Sequence, residues 1–139
     1  MRLGTPIALA AVALGATGCS SSAPSKGSFA FKADAICASA HGVVGKLPTS
    51  GGVAAVNSEE ANLSLAITKL HVLSPPYDRA PQFQAYVYEL EYVQALLRDL
   101  VRAQADHDTA KADSIEAQVQ SHESAGKSSA IDAGLKGCG

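Results

Sequence analysis

The stretch Asp78–Ala105, DRAPQFQAYVYELEYVQALLRDLVRAQA, decides the fold. Phe83, Tyr86, Val87, Leu90, Val93, Leu97, Leu100 and Val101 recur at three- and four-residue spacing, the period of one face of a helix. Glu and Gln fill much of the opposite face, so the segment reads as an amphipathic helix with one buried stripe. Asp78 is the expected N-cap, since a carboxylate there accepts from the free N–H groups of the first turn. Pro81 falls inside that first turn, where a missing N–H costs nothing. The pattern continues to Ala105, roughly six to seven turns and about 35 Å. A stripe of that length is stable only if other elements cover it.

Reading outward, Asp106-His107-Asp108 is a turn signal, and a fourth helix is expected from Thr109 to Ala133. Its seam, Ala112, Ile115, Val119 and Ala130, is made of smaller residues. Gly126 lies inside it at a cost of about 1 kcal/mol relative to Ala. Gly134 supplies a left-handed C-cap with Leu135 as its apolar companion. In the other direction, Ser74-Pro75-Pro76 stops a helix that runs from Val53 to Leu73 with a seam of Val56, Leu63, Ile67 and Leu70. Ser58-Glu59-Glu60 also has the form of a helix start, which leaves that boundary open. Tyr77, in the Pro-Pro turn, is expected to cover the end of the bundle. A first helix is expected from Phe29 to Gly45, capped by Ser28 and stopped by Leu47-Pro48, with Phe29, Ala33, Ile36, Ala40, Val43 and Val44 on one face. Short connections between such helices favour antiparallel neighbours. The expected fold is all-α: a four-helix up-down-up-down bundle over residues 28–139.

The start of the chain has a different character. Met1-Arg2 is followed by an apolar run, Pro6 to Ala16, too short for the roughly 20 residues of a membrane span and of the size of a signal-peptide core. Ala16-Thr17-Gly18-Cys19 then resembles a bacterial lipobox, with Ala16 where Leu is commonest. Residues 1–18 are accordingly expected to be a lipoprotein signal peptide and Cys19 the diacylglycerol-modified residue. A secretory signal cut elsewhere, with Cys19 incidental, is the other reading. Two acyl chains hold a protein stably at a bilayer, at about 0.8 kcal/mol per buried methylene. The Ser/Pro/Gly-rich residues up to 27 read as a flexible tether, spanning at most about 29 Å from the anchor. The expected address is the extracytoplasmic face of the cell membrane, or an outer-membrane leaflet if the organism has one.

Three cysteines are present. Lipidation uses Cys19, which leaves Cys37 and Cys138 as a pair in an oxidising compartment, where a disulfide is expected. In an up-down-up-down bundle the end of helix four lies beside the start of helix one, so pairing and topology agree.

Composition excludes several functions. The formal charge is −2, and −3 once Arg2 leaves with the leader. A mildly acidic domain carries no electrostatic footprint for nucleic acid. Glu-x-x-His, the helical di-iron signature, does not occur among the four histidines, His41, His71, His107 and His122. Thioether copper handling would have only Met1. Asp106-His107-Asp108 reads as a solvated turn rather than a metal site. No metal ligands and no cofactor are therefore expected. Serines are many, yet none sits in Gly-x-Ser-x-Gly. Ser121-His122-Glu123 is contiguous on a helix, where neighbours diverge by about 100°, so no relay forms. Catalytic residues are not expected. Tyr88 and Tyr92, one turn apart beside the main stripe, have two readings. Either they broaden the seam against a neighbouring helix, or they form an exposed aromatic pair on a partner face, where tyrosine is enriched.

The mature chain also resembles a loose group of small, mostly actinobacterial lipoproteins. The matching features are Phe29-x-x-x-Ala33-Asp34-Ala35-Ile36-Cys37, Leu47-Pro48, Leu73-Ser74-Pro75-Pro76, the long third helix and Ala133-Gly134-Leu135-Lys136-Gly137-Cys138. The resemblance implies a disulfide-closed helical bundle on the cell envelope and carries over no catalytic residues. The function expected from the whole reading is a membrane-anchored module that docks another envelope protein. The alternative is a bundle that binds a small ligand or lipid in a cavity left by Ala112 and Ala130.

Overall fold

The computed structural model describes residues 28–40 and 52–139. The expected signal peptide, Cys19 and the tether lie outside these residues, as do residues 41–45 and Leu47-Pro48. The described chain forms four helices, α1 (Phe29–Ser39), α2 (Gly52–His71), α3 (Ala80–Ala105) and α4 (Thr109–Asp132), with a short 3-10 turn at Tyr77–Arg79 before α3. It is the expected all-α bundle. Glu60 of α2 meets Gln94 and Arg98 of α3, while His71, at the other end of α2, meets Glu91. Residue numbers falling along one helix as they rise along the other mark an antiparallel pair. Glu89 of α3 meets His122 of α4 across the second antiparallel pair.

α3 is the hub, packed by both α2 and α4. Its buried residues are Phe83, Tyr86, Val87, Leu90, Val93, Leu97, Leu100 and Ala103. Ala103 takes the place expected for Val101, which is only partly buried. α2 contributes Val56, Leu63, Ile67 and Leu70, and α4 contributes Ala112, Ile115, Val119 and Ala130, as the two seams anticipated. Each fully buried Leu or Val stabilises the fold by about 1.5–3 kcal/mol relative to exposure. Gly126 has a packing reason: a Cβ there would lie 3.3 Å from the Cβ of Glu89. Its absence lets α4 approach α3 closely.

α1, at 11 residues, is about 16 Å long and covers less than half of α3. Ser28 caps it by accepting from Phe31 N at 3.3 Å. Phe29 meets Phe83 edge-on at 4.8 Å, and Cys37 lies against Tyr86 further along α3. α1 therefore runs parallel to α3 and opposite to α2. It closes at Ser39, with the Ala40 N–H bonded back to Ile36 and Cys37; the rest of the run expected to Gly45 lies outside the described residues.

Two expectations at the Pro-Pro turn are corrected. Asp78 does not cap α3. Arg79 N already donates to Pro76 O at 3.0 Å, which places Asp78 inside the 3-10 turn; Arg79 stands at the N-cap and makes no side-chain cap bond. Pro81 still falls in the first turn. Tyr77 does not cover the bundle end, because the same turn swings it outward and leaves it 97% exposed. α2 starts one residue early, at Gly52, and ends at His71 instead of Leu73.

The α3–α4 turn uses its residues twice. His107 is left-handed at φ 56°, and Asp108 N donates to Ala103 O at 2.9 Å, a Schellman closure of α3. Asp108 is also the N-cap of α4, accepting from Lys111 N at 3.0 Å. Gly134, at φ 77°, ends α4 in the same manner with Leu135 N bonded to Ala130 O at 2.9 Å.

Cys37 and Cys138 form the disulfide, with Cα atoms 5.1 Å apart across a separation of 101 residues. Both cysteines are buried. Asp34 Oδ1 accepts from the N–H groups of Lys136 and Gly137, at 2.9 and 2.8 Å. It thereby holds the C-terminal segment against α1. The Tyr86 hydroxyl lies 3.3 Å from the Cys37 sulfur; a disulfide sulfur has no proton, so the tyrosine donates. Burial, with a smaller contribution from Asp34, pushes the Tyr86 hydroxyl well above the ordinary tyrosine range.

Candidate functional site

The residues of α3 that point away from its buried stripe make the most distinctive surface. Tyr88 and Tyr92 are four apart, so they share one face. They are 56% and 44% exposed. Their rings meet edge to face at 4.9 Å, and the Tyr88 hydroxyl donates to Tyr92 at 3.2 Å. That hydrogen bond chiefly, followed by Tyr92 charge, slight desolvation and the nearby Glu89 and Glu91, raises the Tyr88 pKa. Tyr88 is thus a neutral hydroxyl at neutral pH.

The pair lies between the α2 and α4 sides of α3. On the α4 side, the Tyr92 ring stacks on His122 at 4.9 Å with planes 2° apart. His122 Nδ1 is 2.6 Å from Glu89 Oε2; a carboxylate is acceptor-only, so Nδ1 carries the proton. On the α2 side, His71 Nε2 lies 2.8 Å from Glu91 Oε1. There Tyr88 lines an open hollow of about 270 Å³ with the apolar Leu73, Pro75, Phe83 and Val87 and the polar His71, Gln84 and Glu91. Both readings of the tyrosines therefore have a physical counterpart. Tyr92 does lean on a neighbouring helix through His122, and both rings remain on the surface.

The charge of this face is one-sided. From Ala80 to Ala95, α3 carries Glu89 and Glu91 and neither Lys nor Arg. Arg98 and Arg102 lie in its other half, where Arg98 pairs with Glu60 at 2.8 Å and Arg102 with Asp99 at 2.9 Å. The two histidine–glutamate bonds were not legible from spacing, because their members belong to different helices.

Two other places carry polar clusters in the sequence. In Ser121-His122-Glu123 the histidine bonds to Glu89, not to either sequence neighbour. Glu123 is held above the ordinary carboxylate pKa by burial, as is Glu59, which also feels the charge of Glu123. Each has a buried carboxylate oxygen with no hydrogen-bond partner among the described residues. Asp106-His107-Asp108 serves as cap and turn. Among the described residues no three His, Cys, Asp or Glu side chains gather in a form that would hold a metal ion. No described helix is long and apolar enough to cross a membrane. Ala130 is packed into the core, and Ala112 borders an open hollow of about 270 Å³ beside the α3–α4 turn.

No protein-family model matches the chain, and no curated protein or solved structure matches it either.

Proposed function

We propose that the chain is a bacterial lipoprotein of the actinobacterial kind, cleaved before Cys19 and anchored through diacylglycerol on that residue. Residues 19–27 tether the domain of residues 28–139 to the extracytoplasmic face, where it docks an envelope protein in a non-catalytic role. The docking surface is the Tyr88–Tyr92 face. The observation that carries this reading is the pair of half-exposed tyrosines, locked to each other and to His122, beside an apolar hollow. Rigid aromatic side chains lose little entropy on binding, which is why tyrosine anchors interfaces. The buried disulfide and the Asp34 clamp suit a domain that must keep its shape outside the cell.

The binding of a small ligand or lipid is the weaker reading. The hollow beside Tyr88, at about 270 Å³, is below the roughly 300–1,000 Å³ typical of small-molecule sites; another, of about 400 Å³ beside Lys127, Ile131 and Leu135, is within that range, but both are open to solvent.

The test is a complex captured by cross-linking in the native envelope, compared between wild type and a Tyr88→Ala/Tyr92→Ala double variant. The complex is expected to weaken by about tenfold or more, the loss of one or two interface anchors, with helicity by circular dichroism unchanged. An undiminished complex retires this face as the docking site. Cys19→Ala should move the protein out of the membrane fraction and abolish incorporation of labelled palmitate; retention of both would refute the anchor.

A further inference from the structure

We infer that the Tyr88 face receives an arginine side chain from an extended segment of the partner protein. This rests on the Tyr88–Tyr92 face being the docking surface. Three features converge on one kind of side chain. Beside the apolar Leu73, Pro75, Phe83 and Val87, the hollow is lined by the polar His71, Gln84 and Glu91 and by the Tyr88 ring. A residue that fits must be greasy along its stem and cationic at its tip, the amphipathic character of Arg and Lys.

The charge of the face selects the sign. Glu89 and Glu91 are the only formal charges of α3 between Ala80 and Ala95. The half-exposed carboxylate of Glu91 uses Oε1 for His71, and its other oxygen takes no hydrogen bond among the described residues. That oxygen is available to a donor arriving over the hollow. An anionic tip would be repelled there, and a neutral donor would satisfy the oxygen without the charge pairing that a cation adds.

The aromatic ring selects between the two cations. Tyr88 stands 56% exposed beside the carboxylate. A planar guanidinium stacks on a tyrosine ring and donates sideways to a carboxylate at the same time. An ammonium is a compact point charge and more strongly hydrated. The volume selects the size: at about 270 Å³ the hollow accommodates a long side chain and an apolar neighbour, not a folded element. The occupant is therefore a peptide segment that presents arginine next to a leucine-like residue.

The experiment uses the full chain in detergent micelles and a short fluorescent peptide with one arginine between two leucines. Its controls are the same peptide with citrulline, the neutral isostere, and with lysine in the arginine position. Fluorescence polarisation should show saturable binding of the arginine peptide below about 1 mM. Citrulline in the peptide, or Glu91→Gln in the protein, should weaken it by about tenfold, and lysine by less. Tyr88→Ala should weaken it comparably, while Tyr77→Ala, at an exposed tyrosine away from the hollow, should leave it unchanged.

Equal binding of the arginine and citrulline peptides would overturn the inference. So would indifference to Glu91→Gln, failure to saturate, or competition by choline chloride as effective as that of the arginine peptide, since choline would point to a lipid headgroup. The outcomes separate the two proposals. An envelope complex that needs Tyr88 and Tyr92 but is blind to the arginine peptide leaves the docking face standing and removes the arginine. Arginine-peptide binding together with an envelope complex indifferent to both tyrosines supports the recognition chemistry and removes the docking reading.

Discussion

Opening the Cys37–Cys138 disulfide should cost this domain much of its stability. The bond closes a loop across 101 residues. In the chain-entropy treatment, a loop of about 100 residues constrains the unfolded chain by about 4.7 kcal/mol. That is an upper figure, because native-state strain subtracts from it. Whole domains are typically stable by only about 5–15 kcal/mol. The bond also holds the C-terminal segment where Asp34 accepts its two N–H groups, so the clamp loosens with it. For a domain of about this size each kilocalorie shifts the melting temperature by about 4–8 °C. Reduction should then lower it by up to about 20–40 °C. The assay is thermal circular dichroism of the full chain, oxidised, and after reduction in denaturant followed by refolding with the reductant kept in place. The last step matters because both sulfurs are buried and the folded bond is shielded from attack. A Cys37→Ala/Cys138→Ala variant gives the same comparison without reductant. A fall of less than about 5 °C, near the effect of a single kilocalorie, would refute the argument and shift the burden of stability onto the α3-centred core.

Other perturbations probe particular contacts. Glu59 and Glu123 have folded pKa values raised above the ordinary carboxylate value, chiefly by burial. The native state binds their protons more tightly than the unfolded chain does, so these groups destabilise the fold above the raised pKa, and the penalty is relieved as pH falls through it. Glu59→Gln and Glu123→Gln should therefore raise the urea midpoint at pH 7 and should add less as pH approaches the ordinary carboxylate range; a gain independent of pH would contradict the electrostatic cause. Gly126→Val places bulk where even a Cβ would lie 3.3 Å from Glu89 Cβ, and should cost about 1–3 kcal/mol in urea unfolding. Asp34→Ala removes a charged acceptor from two backbone N–H groups and should cost about 1.5–3 kcal/mol, with a Cys-to-Ala background testing whether clamp and disulfide act together. Asp108→Ala removes the cap of α4 and should cost about 1 kcal/mol by the same measurement.

The parts of the fold legible in the sequence were those written as a period or a parity. The stripe Phe83 to Leu100 and the seams of α2 and α4 follow from helical spacing, and the structure buries nearly every residue they named. The disulfide followed from two cysteines left over after one was assigned to lipid. The boundaries were less legible, because local chemistry offers competing solutions. Asp78 has the side chain of an N-cap, yet the Pro75-Pro76 pair starts a 3-10 turn two residues early and puts it inside. His107 adopts a left-handed conformation that favours glycine, and nothing in Asp106-His107-Asp108 says which residue takes it. In the sequence Asp34 is marked only by the resemblance around Cys37. Its partners are 102 and 103 positions away, a distance no periodicity spans.

The candidate site shows the same limit more sharply. Spacing placed Tyr88 and Tyr92 on one face but left open which way that face turned, because residues just beside a buried stripe are covered or exposed according to how far the neighbouring helices reach around. Here α4 reaches as far as His122, which stacks on Tyr92, and α2 reaches as far as His71, which bonds Glu91. Neither extends over Tyr88. Each histidine instead takes one oxygen of one of the two carboxylates that flank the tyrosines, while a largely apolar hollow and an aromatic ring stay open between them. A solvated helix face has no need of such an arrangement: its carboxylates bond to water, and its exposed apolar residues stand singly, as Leu65 of α2 and Ile131 of α4 do. On this half of α3 each carboxylate bonds a histidine of a neighbouring helix through one oxygen, while the aromatic surface is left in water. That inversion is the physical reason to look for a partner on this face before any other part of the bundle.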